Sequence, residues 1–236
     1  MKLGISGTYS SGKTLTSIAL SHYTGIPRTL ARTMREILPE AAPGKALEEC
    51  TAAELIQMIV VRHTERVAHE RELAGRGFIS DGSSLQEWIY GSIRVRVGIN
   101  PNASVHLGDA DVDRTPELEF FESVMERLGV SFKLHVQRSF DAFVHLRNEL
   151  PLAADGHRPV NERFRTLADE TLLRVLDELG IPVHVIGGPL AHRLERIAEQ
   201  LGLEPVMTTR QAIARASAEY RSLDTRDERE RIAAAA

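Results

Sequence analysis

The chain is poor in cysteine. A single one, Cys50, in 236 residues excludes an internal disulfide and any zinc site built on cysteines, and suits a reducing compartment. Neither charge is in large excess, and a net charge of −4 argues against a general nucleic-acid binder. No apolar run approaches the roughly 20 residues that a membrane-spanning helix needs. No internal repeat recurs. Residues 1–14 enter a strand and a loop at once, without the apolar stretch of a secretory signal. These absences lead us to expect a cytoplasmic chain with neither a membrane nor a nucleic-acid partner. Aromatic residues are sparse, at 5%, with one tryptophan. Trp88 and Tyr90 are therefore among the few rings able to stack on a planar ligand, although core packing is the commoner fate of such residues. The 42% of hydrophobic residues suffices for one sizeable core.

The informative stretch is Gly7-Thr8-Tyr9-Ser10-Ser11-Gly12-Lys13-Thr14, which matches the P-loop pattern G-x-x-x-x-G-K-[ST]. Residues 2–6 read as a strand before it, and residues 15–23 as a helix after it. The glycines let the backbone curl so that successive N–H groups face a phosphate chain, and the helix start adds the positive end of its dipole. Lys13 can reach the β- and γ-phosphates and the Thr14 hydroxyl can ligate Mg2+. Residues 7–14, with Leu15 behind them, are the candidate ATP contacts.

Further along, residues 28–31, 78–81, 142–146 and 182–186 read as strands. The intervening segments carry apolar residues at helical spacing, notably after Thr51, Pro116 and Asn161. Ser84 and Glu87 have the spacing of a capping box. Short apolar strands alternating with amphipathic helices predict an α/β fold: a five-stranded parallel sheet with helices on both faces. A helical lid is expected at about 147–165, inside a domain spanning 1–204, with a C-terminal helical extension over 205–236. Ligands should gather at the carboxyl ends of the strands.

Asp81 ends the third predicted strand, where a carboxylate is costly unless paired or metal-linked. It is the candidate acid, placed to hold Mg2+ or to accept a hydroxyl proton; an Asx-turn role is its structural alternative. Arg158, Arg163 and Arg165 follow or flank a Gly-containing loop and suit a phosphate-covering lid, since the guanidinium fork can hold two phosphate oxygens. Arg32 and Arg35 could meet an anionic acceptor or simply face solvent. The run Asp109-Ala110-Asp111-Val112-Asp113 begins like a calcium loop, but Arg114 and Phe120 stand where glycine and glutamate are needed.

With these residues in place, the chain resembles the P-loop nucleoside and nucleotide kinases, in particular the AAA-type ATPase/kinase group that includes the nicotinamide riboside kinase domain of bifunctional NAD-biosynthesis regulators. The resemblance runs from Lys2 to about Leu201. It implies Walker A roles for residues 7–14 and a Mg2+ or catalytic role for Asp81. It also implies a lid at Asp155-Gly156-His157-Arg158 with Arg163 on the next helix, and an adenine-flanking loop at Gly187-Gly188 leading to Arg193. Lys13, Asp81, Arg158 and Arg163 are thus the expected catalytic set, with Gly188 among the nucleotide contacts. The sequence departs from the family pattern at Asp81-Gly82-Ser83, where many nucleoside kinases have Asp-Arg-Ser. The activity implied is transfer of the γ-phosphoryl of Mg-ATP to a nucleoside- or nucleotide-like small molecule, with a homodimer as the candidate assembly. A regulatory ATPase acting on a protein partner is the alternative.

Overall fold

Strands that are short, apolar and buried on both faces can only be satisfied inside a helix-covered parallel sheet. The structure, a computed structural model, describes residues 1–152 and 160–222, apart from the side chain of Arg35. Strands β1 (Lys2–Ser6), β2 (Phe78–Asp81), β3 (Ala142–Leu146) and β4 (Val183–Ile186) form a parallel sheet in the order β2-β1-β3-β4. Ile5 pairs with Asp81 and Ser6 with His145, so the loops after β1, β2 and β3 leave the sheet side by side. The chain runs from β1 to one neighbour and then returns to the other, which puts the topological switch point beside the loop after β1.

The sheet has four strands rather than the five expected. Residues 28–31 stop at an isolated bridge between Arg28 and Ile79. Thr29 N–H donates to Ile79 O and Ile79 N–H to Pro27 O, both at 2.9 Å. Pro27 has no N–H to extend the ladder, and beyond Thr29 the chain is drawn off to the helix at Ala52–Leu73, where Arg32 pairs with Glu65.

Eight helices are described: α1 (Lys13–Thr24), α2 (Met34–Ala41), α3 (Ala52–Leu73), α4 (Ser84–Val97), α5 (Pro116–Ser139), α6 (Glu162–Glu178), α7 (Leu190–Leu201) and α8 (Thr209–Ser222). One face of the sheet is covered by α1, α7 and α8 through Ile18, Leu20, Leu194, Ile197, Ala212 and Ala216. The other is covered by α4, α5 and α6 through Leu85, Ile89, Val136, Phe164 and Leu172. A third cluster joins α2 and α3 to α4 and α5 around Met58, Ile59, Phe121 and Phe132.

Thr51 and Asn161 cap α3 and α6 as expected: their side-chain oxygens accept the N–H groups of Glu54 and Phe164. Helix α4 differs by one residue. Gly82 takes φ +80° and leaves Ser83 extended, so Ser83, not Ser84, is the cap, reciprocated by Gln86. The shift releases Glu87 from capping. Helix α2 carries Pro39 inside it. Its start is fixed by Thr33, whose N–H donates to the Glu36 carboxylate at 2.6 Å, and Ile37 and Leu38 bury its inner face.

Candidate active site

The chain leaves β1 through a loop of unusual backbone. Gly7, Ser10 and Gly12 have φ of 136°, 61° and 86°, and Ser10 is the one non-glycine residue with positive φ among those described. A Cβ on Gly7 would lie 3.0 Å from Leu146 O, so the first glycine is required by both φ and space. Ser11 Oγ donates to Thr8 O at 2.9 Å, and Thr8 Oγ1 to Asn148 Oδ1 at 2.7 Å. From outside, Gln86 Nε2 donates to Gly7 O and Arg193 Nη1 to Ser11 O, each at 2.7 Å. Lys13 Nζ folds back to Thr8 O at 2.8 Å. Helix α1 begins at Lys13 with no side-chain cap and no acidic residue in its first turn. An anion is the ligand that such a helix start favours.

Asp81 reaches this cradle from the tip of β2. Its Oδ2 accepts the Thr14 hydroxyl at 2.7 Å, while its Oδ1 is buried without a hydrogen-bond partner among the described residues. Behind it lies a buried charged cluster that the sequence reading missed. Arg62 and Arg66, one turn apart on α3, both reach Glu87 Oε1, at 3.1 and 3.2 Å. Burial lowers the Arg62 guanidinium from its ordinary value, opposed by the Glu87 and Asp81 carboxylates. Among the described residues the Nε atoms of both arginines and the Tyr90 hydroxyl are buried without a partner of good geometry; the Gln86 amide near Tyr90 is already engaged by Gly7 O and the Ser83 N–H. Burial, then Tyr9 and Glu87, push the Tyr90 phenol well above its usual value. Tyr9, from the loop itself, stacks on Tyr90 at 4.7 Å and on Phe164 at 6.0 Å, and the Arg94 guanidinium sits 5.8 Å from the Phe164 ring.

The structure brings residues 7–14 and Asp81 together. Leu15 packs on the core behind the loop. Gly188, at φ +89°, donates its N–H to Glu149 Oε2 at 2.7 Å. Arg158 lies outside the described residues, as does the rest of 153–159. Arg163 is held elsewhere: its Nη1 donates to Ala110 O at 2.7 Å and its Nη2 pairs with Asp111. Arg165 donates to Leu150 O at 2.8 Å, and Arg32 is shared by Glu40 and Glu65. Trp88 faces α5, donating to Met125 O at 2.7 Å. His145, a strand histidine, meets Ser6 Oγ at 3.2 Å. A signal for Arg66 was present: it continues the stripe of Leu55 and Ile59 on the buried face of α3, where charged residues are seldom found without partners.

A phosphate-cradling loop between β1 and α1, with a carboxylate from the neighbouring strand tip, defines a P-loop protein of the nucleoside and nucleotide kinase fold. A family model described as AAA domain matches residues 2–193, and the chain belongs to that family. No curated protein matches it in sequence. Among solved structures it is similar to deoxyadenosine kinase from M. mycoides. With bound dATP, that structure has TM-score 0.56 and 16% identity, covering 86% of this chain and 99% of that one. With bound dCTP the values are 0.55, 16%, 86% and 99%. With the product dCMP and a flexible dCDP they are 0.52, 15%, 86% and 99%.

Proposed function

We propose that this chain is a P-loop kinase that moves the γ-phosphoryl of Mg-ATP to a hydroxyl or phosphate of a small nucleoside- or nucleotide-like acceptor. The observation that carries this reading is Asp81. One oxygen is bonded to Thr14 and the other is buried and unpartnered beside the phosphate cradle. Among the described residues no group of three or more His, Cys, Asp or Glu gathers into a metal cage. Magnesium on a triphosphate needs none, since a hydroxyl, one carboxylate, phosphate oxygens and water complete its shell. Thr14 and Asp81 fit that role, and the ion, when bound, supplies charge neutralisation at the phosphates. Lys13 adds a cation at the transferred group. The rest is positioning and electrostatics, with Asp81 also placed to take the acceptor proton. Arg158 stays the proposed lid arginine. Arg163 would have to leave Ala110 and Asp111 to join it.

In this reading the acceptor sits beside the half-buried Tyr9 and Tyr90 rings, next to the buried Arg62–Glu87–Arg66 cluster. The arginine missing from Asp81-Gly82-Ser83 has a replacement in space: a Cβ on Gly82 would lie 3.3 Å from Arg66 Nη2, so α3 supplies the guanidinium. Similarity to a deoxyadenosine kinase supports a nucleoside-like acceptor. A regulatory ATPase would leave these buried polar groups without work. The test is ADP release from Mg-ATP with a panel of nucleosides and nucleotides. Release that rises with one of them, with a phosphorylated product, is expected; slow hydrolysis that no small molecule changes would replace this reading with the regulatory one.

A further inference from the structure

The phosphate loop is tied to the loop after β4 by one side chain that touches neither the phosphate path nor the acceptor cluster. Arg193, in the first turn of α7 and only 6% exposed, donates from Nη1 to Ser11 O and from Nε to Gly188 O, each at 2.7 Å. Its Nη2 lies 3.4 Å from Glu149 Oε2, the same oxygen that accepts the Gly188 N–H. A buried guanidinium is tolerated only when its donors are matched, and here three separate segments match them. The surroundings are cut to fit. A Cβ on Gly12 would stand 3.1 Å from Arg193 Nη1, and a Cβ on Gly187 would stand 2.2 Å from Glu149 Oε1.

We propose that Arg193, braced by Glu149, is a positioning residue that locks the phosphate loop to the loop after β4, so that the cradle is preformed before a phosphate chain binds. The proposal rests on the nucleotide-binding reading above. Its physical basis is the planar trans peptide. Holding the Ser11 carbonyl toward Arg193 turns the Gly12 N–H to the opposite side, where the cradle is. Holding Gly188 at both its N–H and its carbonyl fixes the turn into α7. A plain structural ion pair would need no carbonyl of the phosphate loop. Nor would an ammonium serve, because one nitrogen cannot replace a planar fork that meets two carbonyls and a carboxylate.

The full chain and its R193M, R193K and E149Q variants provide the test. Two readouts are used: amide hydrogen exchange at residues 7–14 without ligand, and calorimetric affinity for ATP and for inorganic tripolyphosphate. R193M is expected to speed exchange at Gly12 and Lys13 and to weaken ATP by about tenfold, the scale of one charged hydrogen bond lost in a buried site. Tripolyphosphate, which meets the phosphate loop alone, should weaken in the same direction. E149Q should shift both readouts in the same direction by a smaller factor, and it decides the matter if R193M does not fold. R193K should recover less than half of the loss. Unchanged exchange and ATP affinity in R193M or E149Q, or full recovery by R193K, overturns the proposal. A wild-type chain that binds neither ATP nor tripolyphosphate would instead overturn the nucleotide reading, while the exchange readout still decides whether Arg193 sets the loop.

Discussion

At the scale of single residues, the site divides into groups that would meet phosphate and groups that hold them in place. Lys13→Ala removes the only lysine of the phosphate loop, and Asp81→Asn keeps the shape of the carboxylate while removing its charge. Each is expected to lower kcat by about 10²–10³-fold, the cost of one preorganised electrostatic partner, with the unfolding midpoint nearly unchanged. Steady-state kinetics beside a thermal melt checks this. A second prediction concerns His63, whose ring stacks on Phe132 at 3.9 Å, lies edge-on to His135 at 5.5 Å and meets Ser84 Oγ through Nδ1. Burial, reinforced by His135, lowers its folded pKa from 6.5 to about 4. Between those values the unfolded chain binds the extra proton, so this group's contribution to stability falls as the pH drops from 6.5 toward 4. His63→Gln should flatten that part of the curve, measured as urea unfolding of both chains at several pH values; parallel curves would contradict it.

At the scale of elements, space rather than propensity decides. Gly129 lies inside α5, where alanine would ordinarily gain about 1 kcal/mol. A Cβ there would stand 2.6 Å from Trp88 Nε1. That ring cannot yield cheaply, since it is anchored to Met125 O and covered by Lys133 at 4.6 Å. Gly129→Ala is therefore expected to destabilise by about 1–3 kcal/mol, the overpacking cost exceeding the helical gain. Gly75, with nothing within 4 Å of an added Cβ, is the control, and Gly75→Ala should be neutral to slightly stabilising in the same denaturant titration. Elements with strong local signals were legible in the sequence: β1, the phosphate loop, and the helices capped by Thr51 and Asn161. The failures share a cause. Whether residues 28–31 make a strand depends on the pull of Glu65 on Arg32, and whether Ser83 or Ser84 caps α4 depends on the sign of φ at Gly82. The Arg62–Glu87–Arg66 cluster was hidden for the same reason: its members come from two helices and meet only once those helices pack.

At the scale of the whole molecule, the last described helix is fastened to the first. Helix α8 fully buries only two small side chains, Ala212 and Ala216, with Ile213 partly buried beside them, so its polar clasp adds to a modest apolar contact. Glu219 provides that clasp, with Arg28 Nη2 at 2.7 Å and His22 Nε2 at 2.8 Å. Arg28 is also the residue bridged to β2 through Ile79, so one carboxylate joins α1, α8 and the edge of the sheet. Burial pushes the Glu219 carboxyl up, but Arg28 and His22 outweigh it and hold it below the usual range. A carboxylate whose folded pKa is depressed contributes stability that is complete above its unfolded pKa and is lost as the pH falls through the folded one. The clasp should therefore be intact at neutral pH and fail in acid. The pair is partly open to water, so Glu219→Gln should cost no more than about 1 kcal/mol of global stability at pH 7. It should act mainly on the end of the chain, with amides of α8 exchanging faster while those of β1 and β3 keep their protection. In acid, below the carboxylate range, the two proteins should exchange alike. Loss of protection spread evenly over the sheet would show instead that α8 unfolds only with the rest of the molecule.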